Sequence, residues 1–336
     1  MYFSVIIVAY NAEKDIERCI QSVVNQKFSD YELIIVDDGS TDKTKTVCEK
    51  FTMTKNVNYY YKSNEGVGEA RNYGFNKAKG EYILYVDSDD YIEDNLLYNF
   101  YKYNKEKSLD IIFYGYAIEY YDKTIIKKLY KFNRDILIYE AIQNNIFNFT
   151  WSKIYKRELA IKNNIKFNSK VKYAEDLLYI IDLVKCTDDI GYIDYIGYHY
   201  CFNSASITNS DTTYTIENYL YVQNKYLDFL QMIFSHNKIK DEYGDLLSRE
   251  LGVISAIWFK SLIASNYNKK EIKKIYASDD FNEILKKVKN LSSGIRKNIK
   301  IRIFLKGFWG VVIWKMIKCV KNMYKNVLFN RLNKGE

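Results

Sequence analysis

The chain contains no proline in 336 residues. Helix ends and turns must therefore be set by Gly, Asn, Asp and Ser, and element boundaries are read from those residues. Cysteine is sparse as well: Cys19, Cys48, Cys186, Cys201 and Cys319 lie far apart, are odd in number and show no CxxC spacing. This argues against a disulfide framework and a zinc site, and for reduced thiols in a cytosolic setting. Long apolar runs are missing too. The longest uncharged run in the C-terminal tail, Gly307 to Trp314, falls far short of the roughly 20 residues that span a bilayer. Nor does the N-terminus show the basic start and small-residue cleavage site of a secretion signal.

What is present is an ordinary soluble composition, 48% apolar and 27% charged, with an excess of tyrosine. The length suits two domains, or one large domain with an appendage. Charge is unevenly placed. From Ile295 onward the tail has eleven Lys or Arg against Glu336 alone, so it carries a net +10 and the rest of the chain a net −2.

Taken in order, the opening reads strand, helix, strand, helix. Residues 3–9 form a continuous apolar run suited to a parallel strand buried on both faces. Asn11 is placed to cap a helix whose apolar positions Ile16, Cys19, Ile20 and Val23 fall at helical spacing. Tyr31 begins a second apolar strand ending in Asp37 and Asp38, after which Ser40 or Asp42 can cap a helix to about Phe51. Residues 57–61 suit a third strand. Gly66-Val-Gly68 then opens a helix through about Lys79, which Gly80 ends. The alternation predicts an α/β fold with a mostly parallel sheet and right-handed crossovers.

The fourth strand, from Glu81, runs straight into Asp87, Asp89 and Asp90 with only Ser88 between them. Carboxylates at the end of a buried strand lie on the edge where open α/β sheets bind ligands. Asp87 and Asp89, spaced i and i+2, can seat a hard divalent cation; the alternative is a solvated acidic turn that caps the next helix. The same edge receives Tyr10 and Asn11 from the first strand and Asp37 and Asp38 from the second. Asp38 could accept the imide N–H of a uracil while Tyr10 flanks the base. The alternatives are that Asp37 caps a loop and that Tyr10 belongs to the core.

Four segments then fall in order: Val5-Ile-Ile-Val-Ala-Tyr-Asn11, Val36-Asp-Asp-Gly-Ser-Thr-Asp42, Asn64-Glu-Gly-Val-Gly-Glu-Ala-Arg-Asn-Tyr-Gly74, and Gly80 through Asp90. In motif, order and spacing they resemble the family 2 glycosyltransferases with a GT-A fold. Two later segments, Trp151-Ser-Lys-Ile-Tyr-Lys-Arg-Glu158 and Tyr173-Ala-Glu-Asp-Leu-Leu178, resemble the acceptor-side half of the bacterial capsule, exopolysaccharide and cell-wall members. Together they cover roughly residues 3–210.

The resemblance implies a GT-A, Rossmann-like, mostly parallel sheet flanked by helices, with a C-terminal helical extension. The expected domains are a catalytic unit over 1–212 (a nucleotide-binding half 1–100 and an acceptor-side half 101–212), a helical subdomain over 213–294 and a basic amphipathic tail over 295–336. Implied nucleotide-sugar contacts are Val8, Tyr10, Asp38, Arg71, Asp87 and Ser88. Mn²⁺ or Mg²⁺ would be held by Asp87 and Asp89, with Asp89 the chief ligand. Arg71 would lie near the diphosphate, its alternative being a surface ion pair with Glu69 or another acid. Asp176 is the expected catalytic base with Glu175 in support; the alternative is an acidic pair favoured by the dipole at a helix start. Asp90 is expected to cap the helix near Glu93.

Two departures stand out. Val8 replaces a proline common in relatives, and Cys201 stands where relatives often place an arginine, which makes His199 the nearest replacement cation or else a packed histidine. The implied activity is inverting, metal-dependent transfer of a hexosyl or N-acetylhexosaminyl group from a nucleotide sugar, a UDP-sugar, to a saccharide or lipid-linked saccharide acceptor in surface-polysaccharide synthesis. A non-catalytic nucleotide-sugar-binding partner subunit is the alternative. No Gln-x-x-Arg-Trp motif of processive synthases is present.

Residues 215–292 carry apolar groups at helical spacing, and His236 is expected in an exposed connector. The tail mixes Phe308, Trp309, Val311 and Val312 with Lys315, Lys318 and Lys325. That pattern fits an in-plane helix on an anionic membrane through residues 301–331 at the inner face of the cell membrane; the alternative is a helix docked on the protein. The apolar content argues against nucleic acid as a partner.

Overall fold

In the computed structural model, residues 1–129, 136–171, 174–202, 216–235, 243–252 and 269–292 are described. The expectations for Tyr173, His236, Cys319 and the tail 295–336 lie outside these residues. The chain divides into two compact units, Met1–Ser210 and Asp211–Glu336.

The first unit is built on one sheet in the order β3-β2-β1-β4-β8-β6-β9-β5, with β7 paired to β6. Its first half is the alternation read from the sequence: β1 (Phe3–Ala9), α1 (Ile16–Val24), β2 (Tyr31–Asp37), α2 (Thr44–Glu49), β3 (Val57–Tyr61), α3 (Val67–Lys77) and β4 (Tyr82–Asp87). These four strands are all parallel, in register from Phe3 opposite Tyr31 and Tyr82 to Ala9 opposite Asp37 and Val8 opposite Asp87. Helix α1 buries Ile16, Cys19, Ile20 and Val23, the spacing that predicted it. Every residue of β2 is buried, as a strand covered by helices on both faces requires.

The second half is more mixed than a mostly parallel sheet. It comprises β5 (Tyr91–Ile92), α4 (Leu96–Asn104), β6 (Ile111–Glu119), β7 (Thr124–Lys127), α5 (Leu137–Gln143), a 3₁₀ turn Thr150–Ser152, β8 (Lys153–Lys156), α6 (Arg157–Lys162), α7 (Glu175–Val184) and β9 (Ile190–Cys201). Strand β8 runs antiparallel to both β4 and β6, and β9 runs parallel to β6. Thus β6 and β9 end on the same edge as β1 to β4. Register shifts at Gly115 against β9 mark an irregularity of the kind that bends and twists a sheet.

Two local expectations are corrected. Asn11 does not cap α1, which begins five residues later; Asn11 takes a left-handed φ of 50° and its side-chain oxygen accepts the Thr41 N–H at 2.8 Å. Gly80 does not end α3, which is left at Ala78 in extended backbone. It is glycine for a close approach, since a Cβ there would stand 2.4 Å from Ser4 N.

Within the second unit, the helix Ile216–Ile233 buries Tyr219, Val222, Tyr226, Leu227 and Leu230, and it packs against Asp279–Ser292, which buries Phe281, Ile284 and Val288. Lys287 ties the two, reaching Asp228 Oδ1 at 2.5 Å and Asn224 Oδ1 at 2.7 Å. No helix among the described residues is long and apolar enough to cross a membrane. Cys19, Cys48, Cys186 and Cys201 are free thiols.

Candidate functional site

The common edge of β1, β2, β4, β6 and β9 gathers the polar residues that the sequence placed at strand ends. Asp87 closes β4. Its backbone N–H donates to the Tyr198 hydroxyl at 3.1 Å and its carbonyl accepts the Cys19 thiol. Burial, opposed by Arg71 and reinforced by Asp176 and Asp89, pushes its carboxyl up to about 6. Asp89 is raised as well, mainly by burial, and its carbonyl accepts Arg18 Nη2 at 2.5 Å. Ser88 is half-buried between them.

Asp90 does not cap the following helix. It is fully buried, accepting the Tyr198 hydroxyl at 2.6 Å and the Cys201 N–H at 2.8 Å, and so stitches β4 to β9. Burial, then the charges of Asp87 and Asp89, pushes it up to about 9.

Arg71 is no surface residue. On α3, and only 5% exposed, it extends Nη2 to Asp87 Oδ1 at 3.3 Å and Nη1 to Glu175 Oε1 at 3.3 Å and to Asp176 Oδ1. Its ring of partners outweighs the cost of burial, so its pKa is raised despite desolvation. Glu175 and Asp176 occupy the first turn of α7, after Ala174 in the left-handed region at φ 56°. A non-glycine residue there stores strain of order 1 kcal/mol, of the kind found at working sites. Burial and the Asp176 charge raise the Glu175 carboxyl.

At the β2 end, Asp38 is 2% exposed. Its Oδ1 accepts Lys62 Nζ at 2.8 Å and Glu65 N at 3.1 Å, and its Oδ2 accepts Gly66 N at 2.9 Å. A carboxylate has about four lone-pair positions, so one on Oδ2 stays available for a single further donor. Gly66 turns at φ 96°, which brings its N–H to that carboxylate. Asp37 does close a loop, accepting Ser40 N at 2.8 Å and the Tyr59 hydroxyl at 2.8 Å. Tyr10 is 49% exposed and therefore not core. Val8 lies one residue before Ala9 in β1, opposite Asp87.

His199 does not offer a nitrogen to a diphosphate. Its Nδ1 faces Glu119 Oε1 at 2.7 Å, its Nε2 faces Glu93 Oε1 at 2.8 Å, and its ring stacks on Tyr91 at 4.3 Å. It is a packed histidine. Four contributors went unseen in the sequence: Tyr198, Lys62, Arg18 and Thr150, whose hydroxyl points to Asp176 Oδ2 at 3.4 Å. Their partners are distant in the chain, and spacing carries no such signal.

Among the described residues no group of three or more His, Cys, Asp or Glu is placed to hold a metal ion. A pair of carboxylates still fits a Mg²⁺-type site, where one or two protein carboxylates suffice and phosphates and waters complete the shell. The carboxyls of Asp87, Asp89 and Asp90 are raised chiefly by burial, and at Asp87 and Asp90 neighbouring carboxylates add to it; a bound cation would favour the charged forms.

A curled α/β sheet with flanking helices and an acidic strand edge of this kind defines a GT-A-like fold. Residues 4–167 match the model of Glycosyl transferase family 2. The similarity to that family runs through this segment, just under half of the chain. Among curated proteins, it is 37% identical over 115 residues to the glycosyltransferase GlyG of Streptococcus pneumoniae, covering 34% of this chain and 38% of GlyG. It is 33% identical over 171 residues to TarP of Staphylococcus aureus, a poly(ribitol-phosphate) β-N-acetylglucosaminyltransferase, covering 49% of this chain and 52% of TarP. The chain thus spans about half or less of the length of these relatives. Among solved structures, S. aureus TarS in complex with UDP superposes with a TM-score of 0.69 at 21% identity, covering 92% of this chain and 89% of that one.

Proposed function

We propose that the chain is an inverting, metal-dependent glycosyltransferase that moves one sugar from a UDP-sugar to a saccharide or lipid-linked saccharide acceptor in surface-polymer synthesis. The observation that carries this reading is the convergence of Asp87 and the Glu175–Asp176 pair on the single guanidinium of Arg71. One end of that cluster suits a departing diphosphate and the other an incoming hydroxyl. The name of TarP supports an N-acetylhexosaminyl donor and a polymer acceptor.

In this reading Tyr10 and Val8 flank the base, and the remaining lone pair of Asp38 accepts its single imide N–H. Asp87 and Ser88 face the ribose. Asp87 and Asp89 would hold Mn²⁺ or Mg²⁺, which when bound supplies Lewis-acid stabilisation to the leaving diphosphate. Arg71 aims Asp176 through the contact to Oδ1. Asp176 takes the proton from the acceptor hydroxyl while its oxygen attacks the anomeric carbon. The new C–O bond forms opposite the breaking bond to the diphosphate, so the anomeric centre inverts. Glu175 supports Asp176 from the same helical turn.

The test is release of the matching nucleoside diphosphate from UDP-, GDP- and dTDP-sugars with Mn²⁺ or Mg²⁺, for the wild type, Asp89→Ala and Asp176→Asn. Asp89→Ala should abolish metal-dependent turnover, and Asp176→Asn should cost ~10²-fold or more in transfer with UDP affinity retained. Full activity under chelation would remove the metal from the mechanism. Residues 301–331 would hold the protein on anionic lipid at the inner membrane face. Flotation of the full chain on phosphatidylserine vesicles should weaken when Lys315, Lys318 and Lys325 are changed to Glu; unchanged flotation would discard the membrane contact.

A further inference from the structure

Lys153 belongs to the Trp151–Glu158 motif, yet no step above uses it. It opens β8 between β4 and β6, and it is fully buried. An amino group in such a place needs polar partners for its nitrogen. It has them: Phe147 O at 3.2 Å, Phe149 O, and Ser152 Oγ at 3.0 Å. All three lie in the segment that leads into β8. The Ser152 hydroxyl donates onward to Ile146 O at 2.5 Å, which leaves its lone pairs to receive the lysine. The two carbonyls and the hydroxyl hold Nζ from three directions within one short segment. Burial holds its pKa well below the ordinary lysine value, and the charge of Asp176 only partly opposes this.

The segment so held carries two residues that reach the site from opposite sides. Thr150 points its hydroxyl at Asp176 Oδ2, 3.4 Å away. Trp151 stacks on Tyr198 with ring centres 4.3 Å apart and planes 6° from parallel, and its other neighbour Phe149 stacks at 4.6 Å. Tyr198 in turn grips Asp90 Oδ2 and the N–H of Asp87.

We propose that Lys153 is a positioning residue for the transfer step: its buried amino group holds residues 146–152 so that Thr150 seats the Asp176 carboxylate while Trp151 seats Tyr198 under the acids of β4. The inference rests on the proposed glycosyl transfer, in which Asp176 is the base. A hydrogen bond of 3.4 Å is long, as bonds to catalytic groups often are before substrate engages. Its closure fixes which carboxylate oxygen faces the acceptor. A purely structural lysine would change stability and leave the ratio of kcat to nucleotide affinity alone.

The experiment uses the full chain, UDP-N-acetylglucosamine and Mn²⁺, with UDP release as the rate and calorimetric UDP binding as the control. The variants are Thr150→Val, Thr150→Ser, Lys153→Met and the double variant Lys153→Met/Thr150→Val. Thr150→Val, which keeps shape and removes the hydroxyl, should lower kcat about tenfold with KM and UDP affinity unchanged. Thr150→Ser should restore it. Lys153→Met should lower kcat in the same way, and should cost less when added to Thr150→Val than when added to wild type, because both act through one contact. Wild-type kcat in Thr150→Val, or fully multiplicative effects of the two changes, would overturn the proposal. If Lys153→Met does not fold, the Val and Ser variants alone decide it. A wild type that binds UDP but releases none from any nucleotide sugar would overturn the activity itself, and this role with it.

Discussion

Asp87 at the end of β4 and Asp176 in the first turn of α7 share one guanidinium: Arg71 meets the first at 3.3 Å through Nη2 and the second through Nη1. With Glu175 as a third partner, one buried cation balances three carboxylates. Arg71→Met would leave them uncompensated and should lower stability by about 3–5 kcal/mol. Urea denaturation would read this as a reduced midpoint, and adding Asp176→Asn should recover part of the loss. A midpoint equal to that of the wild type would contradict the account.

Asp90 provides the pH test. Its carboxyl is pushed up to about 9 in the folded chain, against about 4 for an unperturbed aspartate. An acid raised on folding binds more protons in the folded state, so its contribution is intact below the unfolded value and is lost as pH rises toward the folded one. The stability of the wild type relative to Asp90→Asn should therefore fall between about pH 4 and pH 9, by up to ~1.4 kcal/mol per pH unit. Paired denaturation curves in chelator-containing buffers would show it. A difference that grows with pH would be the wrong sign.

Tyr198 holds two of the acidic residues with one hydroxyl. Tyr198→Phe keeps the stack on Trp151 but leaves the Asp87 N–H and one Asp90 oxygen without that partner. The expected cost is about 1–3 kcal/mol in thermal or chemical unfolding, together with weaker Mn²⁺-linked stabilisation. Unchanged unfolding with and without Mn²⁺ would show the hydroxyl to be idle.

Gly80 tests the packing of α3 onto β1. A Cβ there would meet Ser4 N at 2.4 Å and Phe3 C at 2.5 Å, both backbone atoms that cannot swing aside. Gly80→Ala should destabilise by about 1–3 kcal/mol, whereas a helix-ending glycine would cost less. Circular dichroism melts of the two chains decide between these roles.

Much of the first half was legible because its signals are local. Continuous apolar runs gave β1, β2 and β4, the spacing of Ile16, Cys19, Ile20 and Val23 gave α1, and the switch from apolar to acidic at Asp37 and Asp87 marked the acidic strand edge. Asn11, Gly80 and Asp90 were misread for one shared reason. Each looked like a local cap or stop, and each is claimed by a partner across the fold: Thr41, Ser4 and the Tyr198–Cys201 segment. His199 was open to two readings, and the carboxylates of Glu93 and Glu119 chose between them.

The sequence by itself determined the family resemblance, the parallel half of the sheet and the acids at its edge, because motifs, strand and helix periodicity and strand-end chemistry depend on neighbours in the chain. Only the tertiary structure decided that Arg71 is a buried bridge, that Asp90 is bonded to β9, and that the segment holding Lys153 brings Thr150 to Asp176. Those outcomes depend on desolvation and on bonds between residues remote in sequence. Burial makes a charge seek whatever partner the fold brings near, and residue order does not encode that partner.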